Sequence, residues 1–284
     1  MLEACGGELS KTDMEKLLFA FCMERGLNYY DFFPYHFGCF SHLSYQDKRV
    51  LEQQGILTNL DSFKLNSSKS YITELETEDR IYLRNFVIQT KGLRGDSLVR
   101  HIYLKYPYYA SRSQIKERIL TPDELAIVDA SRNAEEGACL FTIGYEGLTI
   151  DAYIDKLIRH NVNAVVDVRK NPISMKYGFS KTKFSQYIQS VSIAYEHIPQ
   201  LGIVSSLRKN LETTQDYTSL FEHYAKHILP QVPGHIERVH NLIDTYHRVA
   251  LTCFEAKASS CHRHKITERM VASNDWKTPI FHIE

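Results

Sequence analysis

From Cys139 onward the chain alternates short apolar runs rich in β-branched residues with longer amphipathic segments, and this grammar restricts the fold more than anything else in it. The runs are CLFTIGY (139–145), NAVVDVR (163–169), IAYEHIP (193–199), RVALTCF (248–254) and PIFHI (279–283). A strand that is apolar on both faces must be covered on both. The segments TIDAYIDKLIRHN and SKTKFSQYIQSV, and those at about 216–229 and 234–246, have the helical period to do so. CLFTIGY, its helix and NAVVDVR make a strand–helix–strand unit with a right-handed crossover. Residues 138–284 are therefore expected to form an α/β domain with a mainly parallel sheet and flanking helices.

The first part of the chain reads differently. LSKTDMEKLLFAFC (9–22) is a helix that Ser10 or Thr12 can cap, with Leu17, Leu18 and Phe21 on one face. LSYQDKRVLEQQG (43–55) is a second helix stopped by Gly55. ILTNLDSFKLN (56–66) is a short hairpin with its turn at Asn59–Ser62. Helix, helix, hairpin is the order of a winged helix, and 76–90 and 95–106 continue as helices. A mostly helical, winged-helix-like domain is expected over 1–120, then an acidic linker over 121–137.

The net charge is zero, but it is unevenly spread. Nine Lys/Arg fall between Arg80 and Arg118 against only Asp96 and Glu117, and five more between Arg169 and Lys183 face no acid. Such stretches suit phosphate, and a neutral total hides them. No run of 18 apolar residues implies a membrane span. The start of the chain lacks the basic-then-apolar order of a signal peptide, so a cytoplasmic protein is expected. The six cysteines are scattered without a CxxC pair, which is the pattern of reduced thiols.

Ligands of open α/β sheets bind beyond the carboxyl ends of the strands. Here those exits carry Gly144-Tyr145-Glu146-Gly147, Asp167-Val168-Arg169, Pro199-Gln200-Leu201-Gly202 and Cys253-Phe254-Glu255. Three of the four hold a carboxylate, which packing does not require, so one shared pocket is expected. Asp167 ends the most apolar strand, and Arg169 shares its face by alternation. Cys261-His262-Arg263 opens a helix, where free N–H groups attract anions. This last stretch admits three chemistries. Cys253, Cys261, His262 and His264 offer enough donors for zinc, but adjacent Cys261 and His262 diverge by about 100° on a helix, so no metal is expected. Cys261 at a helix start could be a nucleophilic thiol, although EAKASSCHR has no glycine to wrap an anion. The third reading is acid–base or electrostatic work by carboxylates, with Arg263 as the anchor.

TIGYEG, VVDVRKNPISMKYGFSK, YEHIPQLG and CFEAKASSCHR, in that order over 139–284, resemble the bacterial family catalogued as domain of unknown function 488. The matching positions are Gly144, Tyr145, Glu146, Asp167, Arg169, Pro172, Gly202, Glu255, Cys261, His262 and Arg263. The first part of the chain is similar to the winged-helix-like segment of longer members and of antitoxin-like relatives. The resemblance implies an α/β domain acting on nucleic acid or nucleotides in phage defence. Longer members look like Brig-type DNA glycosylases, which remove modified bases from phage DNA. Cys253-Phe254 departs from the expected start of the fourth motif, and Cys253 reads as packing.

N-glycosidic hydrolysis suits these residues, because its oxocarbenium-like transition state asks for a carboxylate. Asp167 is the first choice, with Glu255 and Glu146 as alternatives. Arg169 and Arg263 would hold flanking phosphates, and Tyr145 and Tyr177 would stack an extruded base. The loop bearing Lys176 and Tyr177 would grip the backbone of double-stranded DNA. Gly144, Gly202, Cys261 and His262 complete the expected substrate-binding set, with no cofactor. The alternatives are a non-enzymatic nucleic-acid-binding regulator or nucleotide sensor, and a thiol-dependent transferase using Cys261.

Overall fold

The computed structural model describes every residue of the chain except 59–60, 209–210 and 274, together with the side chain of Thr214. The chain divides into two units, Met1–Arg132 and Asn133–Glu284.

In the first unit, β1 (Glu8–Leu9) leads into α1 (Lys11–Arg25). Ser10 caps that helix by accepting a bond from the Asp13 N–H. A hairpin of β2 (Phe33–Tyr35) and β3 (Gly38–Phe40) follows, then α2 (His42–Gln53), capped by Ser41. β4 (Phe63–Lys64) returns to pair antiparallel with β1. The expected helix–helix–hairpin order therefore holds, with an unforeseen hairpin set between the helices. The hairpin before β4 is seen in the bridge between Leu57 and Leu65, while the start of its turn lies outside the described residues. The unit continues through α3 (Thr77–Gln89), α4 (Gly95–Lys105), α5 (Pro107–Ala110), α6 (Lys116–Ile119) and α7 (Pro122–Ala130). Leu17, Phe19, Phe86, Leu98 and Ile102 are among its buried core residues.

Two expectations change here. The acidic stretch 121–137 is not a linker throughout, because α7 occupies much of it. Thr121 and Glu124 form a capping box at its start, and Val128 is buried against Val99, Tyr103 and Leu120. The acidic look comes from the exposed side of a docked helix. The basic stretch 80–118 is also less free than its sequence suggests. Arg100 pairs with Glu124, Lys105 with Glu24, Lys116 with Asp129 and Arg118 with Asp96.

The second unit is the expected parallel sheet. Its strands are β5 (Cys139–Gly144), β6 (Ala164–Asp167), β7 (Ala194–His197), β8 (Arg248–Cys253) and β9 (Ile280–Ile283). They run parallel in the order β7-β6-β8-β5-β9. Between them lie α8 (Ile150–Arg159, capped by Thr149), α9 (Lys181–Ser190), α10 (Thr214–His223), α11 (Pro233–Tyr246) and α12 (Arg263–Val271). One sheet face, with Leu140, Val166, Val249 and Leu251, packs against Val239 and Ile243 of α11 and Ile266 and Met270 of α12. On the other, Tyr153 of α8 donates to the Thr252 hydroxyl and meets Phe184 of α9 edge-on. Among the described residues, no helix is long and apolar enough to cross a membrane.

Candidate active site

β5 and β8 are neighbours in the sheet, but the chain leaves them in opposite directions. From β5 it passes to β6 on the far side of β8, and from β8 it passes to β9 on the far side of β5. Such a reversal opens a crevice at the carboxyl ends of the two strands, where ligands of this architecture bind. A cleft of about 580 Å³ lies there, lined by Glu146, Arg208, Tyr217, Phe254 and Glu255 among others.

Backbone contacts stitch the two strand exits together. The N–H groups of Tyr145 and Glu146 donate to the carbonyl of Phe254, at 3.1 and 2.9 Å. The Ala256 N–H returns a bond to Glu146 Oε2 at 2.9 Å. Gly144 permits this approach: a Cβ there would stand 1.8 Å from the carbonyl oxygen of Glu255. The expected close approach at Gly144 is thus made by the protein's own loop. Arg263 secures the loop from beneath, donating to the carbonyls of Glu255 at 2.5 Å and Ala256 at 2.7 Å. It is 1% exposed, and among the described residues its Nε has no hydrogen-bond partner. Arg263 is therefore buried behind the loop and not set out to meet phosphate.

Glu255 faces the cleft. Arg208, from a short 3₁₀ turn (Ser205–Arg208), donates to its Oε1 at 2.9 Å. Oε2 lies 3.3 Å from the sulfur of Cys253. Behind this pair, His262 Nδ1 stands 3.7 Å from the sulfurs of both Cys253 and Cys261 and 3.2 Å from Arg208 Nη2. His262 Nε2 is 3.3 Å from the Val168 carbonyl, an acceptor, which places the ring proton on Nε2 and leaves the Nδ1 lone pair toward the sulfurs. The separation expected for adjacent helical residues does not apply, because α12 starts only at Arg263. Cys261 is extended, with φ −137° and ψ 145°. A hydrogen bond from Cys261 pushes the Cys253 thiol well down, while burial pushes Cys261 up. Cys261, the nucleophile of the alternative thiol-transferase reading, is fully buried.

Asp167 sits at the neighbouring exit in different surroundings. It is fully buried, and both carboxylate oxygens are taken: Arg169 donates from its backbone N–H, Nε and Nη2, and Tyr195 from its hydroxyl. Arg169 spends its remaining Nη1 donors on the Tyr145 hydroxyl and the Phe179 carbonyl. Tyr145 is 4% exposed and stacks on Phe179 at 4.2 Å, so its ring is not offered to a base. Tyr177 is half-buried with its hydroxyl 2.6 Å from that of Tyr187, and Lys176 donates to the Tyr145 carbonyl. Gly202 again serves chain packing, since a Cβ would meet the Lys170 nitrogen at 2.3 Å. The structure therefore brings Glu146 and Glu255 to one cleft and keeps Asp167 and Arg169 behind it. Arg208, Tyr217 and Phe254 were not anticipated as site residues. Arg208 lies 47 residues before its partner and in no recognisable motif.

The family model described as "Domain of unknown function DUF488" matches residues 149–270. No curated protein and no solved structure matches the chain.

Proposed function

We propose, on the match of the DUF488 family model to residues 149–270, that the chain is an N-glycosidic-bond hydrolase of the DNA glycosylase type, freeing a modified base from foreign DNA in phage defence. The observation that carries this reading is Glu255, a carboxylate that lines an open cleft together with two exposed aromatic rings. Phe254 is 44% exposed and Tyr217 is 40% exposed, and both line the same cleft as Glu255 and Arg208. Breaking a base–sugar bond builds positive charge on the sugar, and a nearby carboxylate stabilises that charge or activates the attacking water. An extruded base needs π-faces to replace its lost stacking. The same cleft also holds Glu146 and Glu212, an acidic lining that suits a developing cation better than a phosphate. This favours an enzyme over a phosphate-sensing regulator. It also moves the catalytic carboxylate from Asp167 to Glu255, with Arg208 as its ion-pair partner.

The test is incubation of the purified chain with duplex DNAs carrying candidate modified bases, followed by mass spectrometry of the freed small product. Free base is expected from at least one substrate with wild-type protein, and its release should fall by about 10²–10⁴-fold with Glu255→Gln while DNA binding persists. Release of base at the wild-type rate by Glu255→Gln would remove that residue from the mechanism.

A further inference from the structure

We infer that Cys253, Cys261 and His262 form a binding site for one divalent transition ion of zinc's class, with its fourth coordination position turned toward Glu255 and the cleft. The donor atoms, two Sγ and one Nδ1, all lie within 4.8 Å of one another, and all three residues are buried. A tetrahedral ion with sulfur at about 2.3 Å and imidazole nitrogen at about 2.1 Å sets S···N edges of about 3.6 Å. Both S···N separations here are 3.7 Å, so an ion fits with little movement of the ligands.

Three further features point the same way. The contact of His262 Nε2 with the Val168 carbonyl is the outer-shell arrangement that fixes the tautomer of a ligating imidazole. Cys253 Sγ stands 3.3 Å from Glu255 Oε2, so a carboxylate borders the donor cluster on the cleft side. The cluster already draws one cation: Arg208 reaches both Glu255 and His262 Nδ1. Two sulfurs and a nitrogen select a borderline-soft ion over magnesium or calcium, which take oxygen ligands.

Three protein ligands and an open position are the pattern of a catalytic zinc site, in which bound water ionises near neutral pH. Glu255 and Arg208 both line the cleft and touch the donor cluster, so the open position is the one they face. The catalytic step rests on the glycosidase reading above, whereas metal binding does not. In that step the bound water gives a proton to Glu255 and its oxygen bonds to the anomeric carbon. The carbon–nitrogen bond breaks, and the proton passes to the departing base.

The experiment is elemental analysis of the full chain purified under reducing conditions, with cobalt(II) chloride titrated into the chelator-stripped protein. About one zinc per chain is expected, along with the near-ultraviolet thiolate-to-cobalt absorption and visible bands of tetrahedral cobalt. Cys253→Ala, Cys261→Ala and His262→Ala should each lower the bound metal at least tenfold with far-ultraviolet circular dichroism unchanged. Should those variants misfold, the wild-type cobalt spectrum decides alone. A chain without stoichiometric metal and without that absorption on titration overturns the site. Glu255→Gln should keep the metal, and its loss from that variant would overturn the open fourth position. Metal bound to a chain that frees no base would support the site and fail only the glycosidase reading.

Discussion

Asp167–Arg169 and Glu255–Arg208 are two carboxylate–guanidinium pairs at the exits of adjacent strands, and they differ in almost everything else. In the first, the side chains are 0% and 6% exposed, and the arginine belongs to the same strand exit as its partner. In the second, they are 16% and 32% exposed, and the arginine comes from a distant 3₁₀ turn. The first carboxylate accepts four bonds and has no face toward the cleft. The second has one oxygen on Arg208 and the other beside a sulfur, and it lines the cleft. A carboxylate at a strand end is thus not by itself chemistry. What distinguishes the two is whether the local chain folds back to neutralise the acid or leaves that to a partner from elsewhere.

The comparison makes its largest claim about stability. Asp167→Asn removes one member of a buried pair and leaves Arg169 charged without an ionised counterpart, so it should cost about 3–5 kcal/mol. Urea or guanidinium unfolding of the variant measures this directly. A variant as stable as wild type but catalytically dead would reverse the assignment and make Asp167 the reacting group.

Glu255→Gln should behave in the opposite way. Its pair is partly exposed, so unfolding free energy should change by no more than about 1 kcal/mol. Base release should fall by about 10²–10⁴-fold, the usual worth of a positioned acid–base group. Measured side by side, the two variants separate a structural acid from a chemical one. If both lose stability and activity together, the distinction drawn from burial fails.

A third variant tests how the open pair is held in place. Gly144→Ala would drive a methyl group into the Glu255 carbonyl, a backbone atom that cannot rotate away. The β8 exit loop would have to shift, at about 3 kcal/mol. Base release should fall with it, although residue 144 touches no substrate. Unchanged thermal unfolding together with unchanged activity would mean that the loop yields freely and that Arg263 does not fix it.

The sheet was legible in the sequence because its evidence is repeated: five apolar runs separated by amphipathic segments leave little choice of architecture. The cleft's place was legible too, because it follows from where strands end. The occupants were harder. Alternation put Asp167 and Arg169 on one face, but it does not say whether that face points at a ligand or at Tyr195 and Phe179. Arg208 is invisible to any local pattern, since its role depends on a turn brought in from far along the chain. The convergence of Cys253, Cys261 and His262 was missed for a specific reason. Cys261 was placed on the helix, where its direction would differ from that of His262, whereas the helix begins two residues later. The α7 helix was missed because its acids are on the solvent side and its buried stripe is short.

The smallest effect refines the sealed pair. Tyr195, in β7, donates its hydroxyl to Asp167 Oδ2 at 2.8 Å, but that oxygen also receives Arg169 Nη2 at 2.6 Å. Tyr195→Phe therefore removes one of two donors without leaving the oxygen bare, and should cost about 1 kcal/mol. The phenyl ring keeps its edge-on contact with Phe184, so packing is preserved and the hydroxyl alone is measured. Base release should stay within about twofold of wild type, because nothing in the cleft changes, and a small drop in unfolding midpoint with intact release is the expected result. A large loss of activity from this conservative change would mean that Asp167 communicates with the cleft after all. In that case the boundary between the two pairs would lie between Tyr195 and Asp167, instead of between Asp167 and Glu255.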